Sequence, residues 1–270
     1  LANMNVTDSS GTLNTAVGYN AGNDVTSGTN NTLIGAQAGD ALTDADFNTA
    51  VGVNALTADT LGSRSVAVGW GALQAQNLTT ATNVYNVAVG NLAGTAITTG
   101  VQNVIIGGQA GDAITDADYN VAVGDQALGD NTVGSQSVAI GYIALTSQNP
   151  ATATNMYNTA VGSQAGASVT TGTQNTYIGG LAGDAATASV ENVAVGYQAL
   201  SADTLGSKSV AVGRMALLSQ NQTTATDVYN VAVGHNAGQQ VTTSQSNTLV
   251  GGLAGDAITT GSENTTLGYK

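Results

Sequence analysis

A five-residue signature of alternating character recurs fifteen times, opening at residues 14, 31, 48, 65, 86, 103, 120, 137, 158, 175, 192, 209, 230, 247 and 264. It reads Asn or Ser, then Thr or Val, any residue, Val, Ile or Leu, and Gly, as in Asn158-Thr159-Ala160-Val161-Gly162. Positions two and four lie on the same face of an extended chain. β-Branched residues at both favour that conformation. Each signature therefore predicts a short strand with one apolar face. The steps run 17, 17, 17 and 21 residues and then repeat, giving 72-residue cycles of four units. Periods near 20 residues mark stacked, quasi-one-dimensional folds. The predicted fold is all-β, a repetitive β-solenoid or β-roll of about fifteen coils. The array spans 14–268, with 1–13 as the tail of a preceding unit and 269–270 as a truncated end. The chain reads as a piece of a longer array.

Two further columns are invariant. The fifth position is Gly in every copy, which predicts a bend with positive φ or backbone packed against a neighbouring coil. Three residues on stands Ala, from Ala21 to Ala254, at a site expected to be too crowded for more. The next residue is Gly in the first two units of a cycle and Leu in the last two, as in Gly22, Gly39, Leu56 and Leu73. The opening Asn becomes Ser in every fourth unit, at Ser65, Ser137 and Ser209. Stacked Asn side chains are expected to bond to each other and to backbone along the pile. The four extra residues of the long unit, ending at Tyr85, Tyr157 and Tyr229, are expected in an outward loop. Pro150, the only proline, sits in one such loop.

Composition changes the picture in one respect. Aromatics are 4% and charged residues 8%, with 36 Gly, so a core of large interlocking side chains is out of reach. A 17-residue coil of small residues encloses little apolar volume, and chain entropy consumes most of the gain. Association with sister chains is expected to supply the missing burial, as an elongated homotrimeric rod about 70 Å long at the strand spacing of about 4.8 Å. A net charge of −13 with four Lys and Arg disfavours nucleic acid and anionic membrane as partners. No apolar run has the length of a membrane helix. Without Cys there are neither disulfides nor thiolate metal sites.

Asn86-Val-Ala-Val-Gly90, Ser65-Val-Ala-Val-Gly69 and Ser137-Val-Ala-Ile-Gly141 resemble the head repeats of trimeric autotransporter adhesins, the YadA-like β-roll. Asn14-Thr-Ala-Val-Gly-Tyr-Asn-Ala-Gly22 and Asn192-Val-Ala-Val-Gly-Tyr-Gln-Ala-Leu200 are similar to arrays in phage tail-fibre proteins. The likeness covers about 14–268, although units of 17 and 21 residues are longer than those usual in adhesin heads. It implies a trimeric, extracellular rod that adheres to a surface or glycan.

Candidate chemistry is sparse. His235 is the only histidine, and no base accompanies the many Ser and Thr, so no catalytic residue or organic cofactor is expected. Asp40, Asp44 and Asp46, and one cycle later Asp112, Asp116 and Asp118, place three carboxylates on one turn, where oxygen ligands suit Ca²⁺. The alternative is a solvated acidic edge. The same acids are a remote candidate for a polysaccharide depolymerase. The residue after each signature Gly varies freely and includes Tyr19, Trp70, Tyr142 and Tyr197, amphipathic groups suited to touching a glycan or a receptor protein. Ice binding is disfavoured, because the Thr-rich turns do not recur in every coil. The functional expectation is a structural fibre segment of a phage tail fibre or bacterial surface adhesin, supporting attachment to a cell surface. The alternative is a rod that binds glycan or protein itself.

Overall fold

The computed structural model describes residues 13–270, so the expected tail over 1–12 lies outside it. The described chain forms two compact units, 13–135 and 136–270. Each is a parallel β-solenoid in which every signature is a three-residue strand. The first unit stacks Thr15–Val17, Thr32–Ile34, Thr49–Val51, Val66–Val68, Val87–Val89, Val104–Ile106 and Val121–Val123, each hydrogen-bonded in parallel to the next. The second stacks eight, from Val138–Ile140 to Thr265–Leu267, in the same way. Register never slips: Thr15 faces Thr32, and Val66 faces Val87 across the 21-residue step. Fifteen coils therefore follow from fifteen signatures, and no helix is assigned among the described residues.

The apolar face defined by signature positions two and four is the outer one. The middle position points inward: Ala50, Ala67, Ala88, Ala160 and Ala211 are fully buried. The β-branched rows on either side stay half exposed, with Ile34, Ile106, Ile140 and Ile178 near 38%. A 17-residue coil is narrow, so Ala fits the lumen while Val and Ile shape the outer sheet face. The sequence-level argument that one chain cannot close its own core is corrected accordingly. Leu42, Leu56, Leu73, Ile97 and Ile114 are fully buried within the one chain.

Close packing along the stack explains the invariant glycines. At Gly52, φ is +141° and an added Cβ would stand 2.3 Å from the carbonyl oxygen of Gly69, one coil away. Within each unit every signature Gly that has a coil after it meets the next one in this way, so any side chain would force coils apart. The Gly or Leu alternation is a volume match. In the second unit of each cycle the middle strand residue is large, as at Leu33, and the added Cβ of Gly22 or Gly39 would fall 2.7 or 2.8 Å from its methyls. Tyr177 takes the place of Leu33 two cycles on, with Ala186 in the place of Leu42 and Ser189 in the place of Ala45. The bulkier ring is fully buried where its neighbour has shrunk, and its hydroxyl lies 3.4 Å from Ser189 Oγ. Burial pushes the Tyr177 phenol up to about 12, against the lowering contributed by its hydrogen bonds.

The opening Asn residues form the expected ladder, but inside the coil. Asn48 Oδ1 accepts from Ser65 N at 2.8 Å, and its Nδ2 donates to Gly62 O at 2.9 Å. Asn31, Asn103, Asn175 and Asn192 repeat both bonds. Each amide thus closes its own coil and holds the next, satisfying backbone groups that burial would otherwise orphan. Where Ser interrupts the ladder, the long loop supplies a substitute. Gln76 Nε2 donates to Ser65 Oγ at 3.1 Å, while its Oε1 accepts from Asn86 Nδ2 at 2.9 Å. Gln220 does the same for Ser209 and Asn230.

Candidate contact surfaces

The long loops are only partly outward. Thr79, Thr80 and Ala81 are exposed, whereas Gln76, Leu78 and Val84 return to the core. Their inward pull comes from a buried carboxylate. Asp59 accepts from Gly62 N at 3.0 Å, Leu78 N at 3.1 Å and Gln76 Nε2 at 2.6 Å. Asp203 accepts from Gly206 N, Gln222 N and Gln220 Nε2 in the same manner. Desolvation pushes the Asp59 carboxyl above the ordinary range, against the lowering effect of these three donors. Pro150 occupies the sequence position of Leu78 and Gln222 and is buried, not looped outward. The cycle that lacks that N–H also replaces the acid, with Asn131 in the position of Asp59.

The six turn acids are exposed or half-buried on the coil. Asp44 Oδ1 accepts from Ser27 Oγ at 2.6 Å, and Asp46 Oδ1 accepts from Thr29 N at 2.7 Å and Thr29 Oγ1 at 2.9 Å. Asp118 Oδ1 accepts from Val101 N at 2.8 Å, and Asp116 Oδ1 from Thr115 Oγ1 at 3.0 Å. Asp40 and Asp112 have their carboxyls pushed up by desolvation, and nearby Asp24 and Asp130 add to the effect. Among the described residues no three His, Cys, Asp or Glu side chains come together as a metal would require. Asp44, Asp46 and Asp118 thus fasten their coil to the one before.

Tyr19, Trp70, Tyr142 and Tyr197 are all exposed, from 49% at Tyr197 to 63% at Tyr19. They stand just past the Gly bend. Within a unit they are isolated from one another: Tyr19 and Trp70 are separated by Ala36 and Val53, and Tyr142 and Tyr197 by Ser163 and Gly180.

A second exposed row lies at the residue immediately before each buried Asn or Ser. Its members have positive φ, for example 59° at Phe47, 67° at Arg64 and 55° at Tyr85. This left-handed conformation turns the side chain outward just ahead of the strand, and bulky residues adopt it only at a cost. Arg64 Cζ lies 4.8 Å from the Phe47 ring centroid and 5.9 Å from that of Tyr85, with its Nε donating to Asn83 Oδ1 at 3.0 Å. In the second unit Lys208 donates to Asp227 at 2.7 Å, which holds its ammonium pKa up, and lies 5.4 Å from the Tyr229 ring. The signal for this row is an aromatic or polar residue preceding every signature after the first, which Leu13 precedes.

The third surface is the sheet face itself. Its two rows carry only Thr, Val, Ile and Leu, without a charge, on a chain of net charge −13. Comparison with family models, curated proteins and solved structures returns no match. No described helix is long and apolar enough to cross a membrane.

Proposed function

We propose that the chain is a structural segment of an extracellular fibre, of the phage tail-fibre or bacterial surface-adhesin kind, that associates as a homotrimer through its outward β-branched face. The observation that carries this reading is the uncharged, half-exposed pair of β-branched rows repeated in every coil. Soluble monomers rarely leave such a continuous apolar strip uncovered. The residues exposed near 38% retain enough surface that covering each returns roughly 0.5–1 kcal/mol. A partner with the same coil spacing matches the strip ridge for ridge. The elsewhere acidic surface keeps other faces apart.

Side-chain chemistry supports a scaffold role. Asn, Asp, Thr and Gln are spent on coil-to-coil bonds and not gathered at one point. Sedimentation equilibrium of the chain and of Val51→Lys/Val89→Lys tests the association. The wild type is expected at three chain masses and the double variant at one. A wild type that stays at one chain mass refutes it. A second reading follows from the exposure of Tyr19, Trp70, Tyr142 and Tyr197: these rings contact glycan or receptor protein along the segment. Alanine at Tyr19 and Trp70 would then reduce adhesion to cells while leaving the mass unchanged.

A further inference from the structure

The row preceding the strands alternates in the first unit in a way that neither the fold nor self-association requires. Over successive coils it reads Asn30, Phe47, Arg64, Tyr85, Gln102 and Tyr119, all exposed. Rings stand on every second coil, and a guanidinium or carboxamide fills each coil between. Since adjacent coils are hydrogen-bonded neighbours in the sheet, rings recur about every 9.5 Å. Two sugar residues of an extended β-linked polysaccharide span about that length, and such a chain offers C–H faces to aromatic rings and hydroxyls to the groups between.

Two observations point to a ligand and not to packing. First, Phe47, Tyr85 and Tyr119 remain 48–50% exposed, so their surface serves no core. Second, the second unit builds the same left-handed backbone with Glu191 and Glu263, at φ 59° and 61°, in the places of Phe47 and Tyr119 two cycles earlier, and keeps rings at Tyr157 and Tyr229 in the place of Tyr85. The fold therefore does not need rings at positions 47 and 119.

We infer that the Phe47–Tyr119 row of the first unit is a binding track for a neutral, extended β-linked polysaccharide, one disaccharide per two coils. Arg64 and Gln102 donate to sugar hydroxyls, and Asn83 and the flanking rings hold the guanidinium in place. Neutrality follows from charge. Arg64 is the only basic residue of the first unit, against an acidic chain, so a polyanion is repelled.

Titration calorimetry of the full chain with cello-oligosaccharides of increasing length tests the assignment, with hydroxyethyl-cellulose in affinity electrophoresis as a second readout. Affinity is expected to climb with each added disaccharide until the ligand spans Phe47 to Tyr119, and then to level off. Phe47→Glu/Tyr119→Glu, which copies the residues the second unit already carries, should lower affinity at least tenfold with unchanged circular dichroism. Polygalacturonate should not bind. Absence of binding by the folded wild type overturns the inference. So does equal affinity of the double Glu variant, or a preference for polygalacturonate.

Discussion

Asn48→Ala isolates the amide ladder. The side chain is buried and makes two bonds that Ala cannot replace, accepting from Ser65 N at 2.8 Å and donating to Gly62 O at 2.9 Å. Its own backbone N–H still donates to Asn31 Oδ1, so the preceding coil is unaffected. The substitution leaves one buried N–H and one buried carbonyl without partners, each costing about 1–3 kcal/mol, or about 2–6 kcal/mol together. In a stack whose coils contact only their neighbours, that loss is local as well as global. Native-state hydrogen exchange at the Ser65 amide reads it directly. At about 1.4 kcal/mol per factor of ten, protection should fall by roughly thirtyfold or more. Val51→Ala, on the outward face of the same coil, should change Ser65 protection little. Exchange in Asn48→Ala within threefold of wild type would refute the claim that the ladder holds coil to coil.

Gly52→Ala should prevent a native stack from forming, because its Cβ would meet Gly69 O at 2.3 Å from a backbone at φ +141°; a cooperative melt like that of the wild type would contradict this. Tyr177→Phe removes the 3.4 Å contact with Ser189 and should cost about 1 kcal/mol in urea unfolding. Tyr177→Leu empties part of a site whose neighbour is only Ala186, and should cost about 2–4 kcal/mol by the cavity it leaves. The folded-state pKa of Asp59 lies above its ordinary 3.8, so its stabilising contribution is full below that value and is lost as pH rises through the folded pKa. Urea midpoints should therefore fall from acid towards neutral pH, with Asp59→Asn flattening part of the slope and Asp40 and Asp112 retaining theirs.

Much of the fold was legible from residues whose type repeats. The signature strands, their register, the Gly column and the crowded Ala column all stand where periodicity put them. What periodicity cannot supply is the direction of a strand. Alternation at positions two and four defines two faces without saying which is inside, and only the width of a 17-residue coil decides for Ala over Val. The middle position read as variable because it is usually Ala but Leu33, Ile105, Tyr177 or Leu249 in one unit of four. That size change pairs with the two Gly residues around it, a volume correlation visible only across coils. The co-occurrence of Ser65 with Gln76, and of Ser209 with Gln220, carried the ladder repair in the same hidden form.

The contact surfaces were less legible. Tyr19 and Trp70 stand exposed as their variability implied, but the row holding Phe47, Arg64 and Tyr85 falls just outside the signature and carries no fixed residue type to mark it. The acids at Asp44 and Asp46 looked like ligands because they share a turn. In the folded coil one oxygen of each, Oδ1, is engaged by Ser27 or Thr29 of the coil before.

The most direct test of the association account is the sedimentation-equilibrium mass of the full chain over a wide concentration range. The account predicts three chain masses, collapsing to one when Val51 and Val89 carry lysine. A single-chain mass throughout, with the Val and Ile rows left open to solvent, would contradict it.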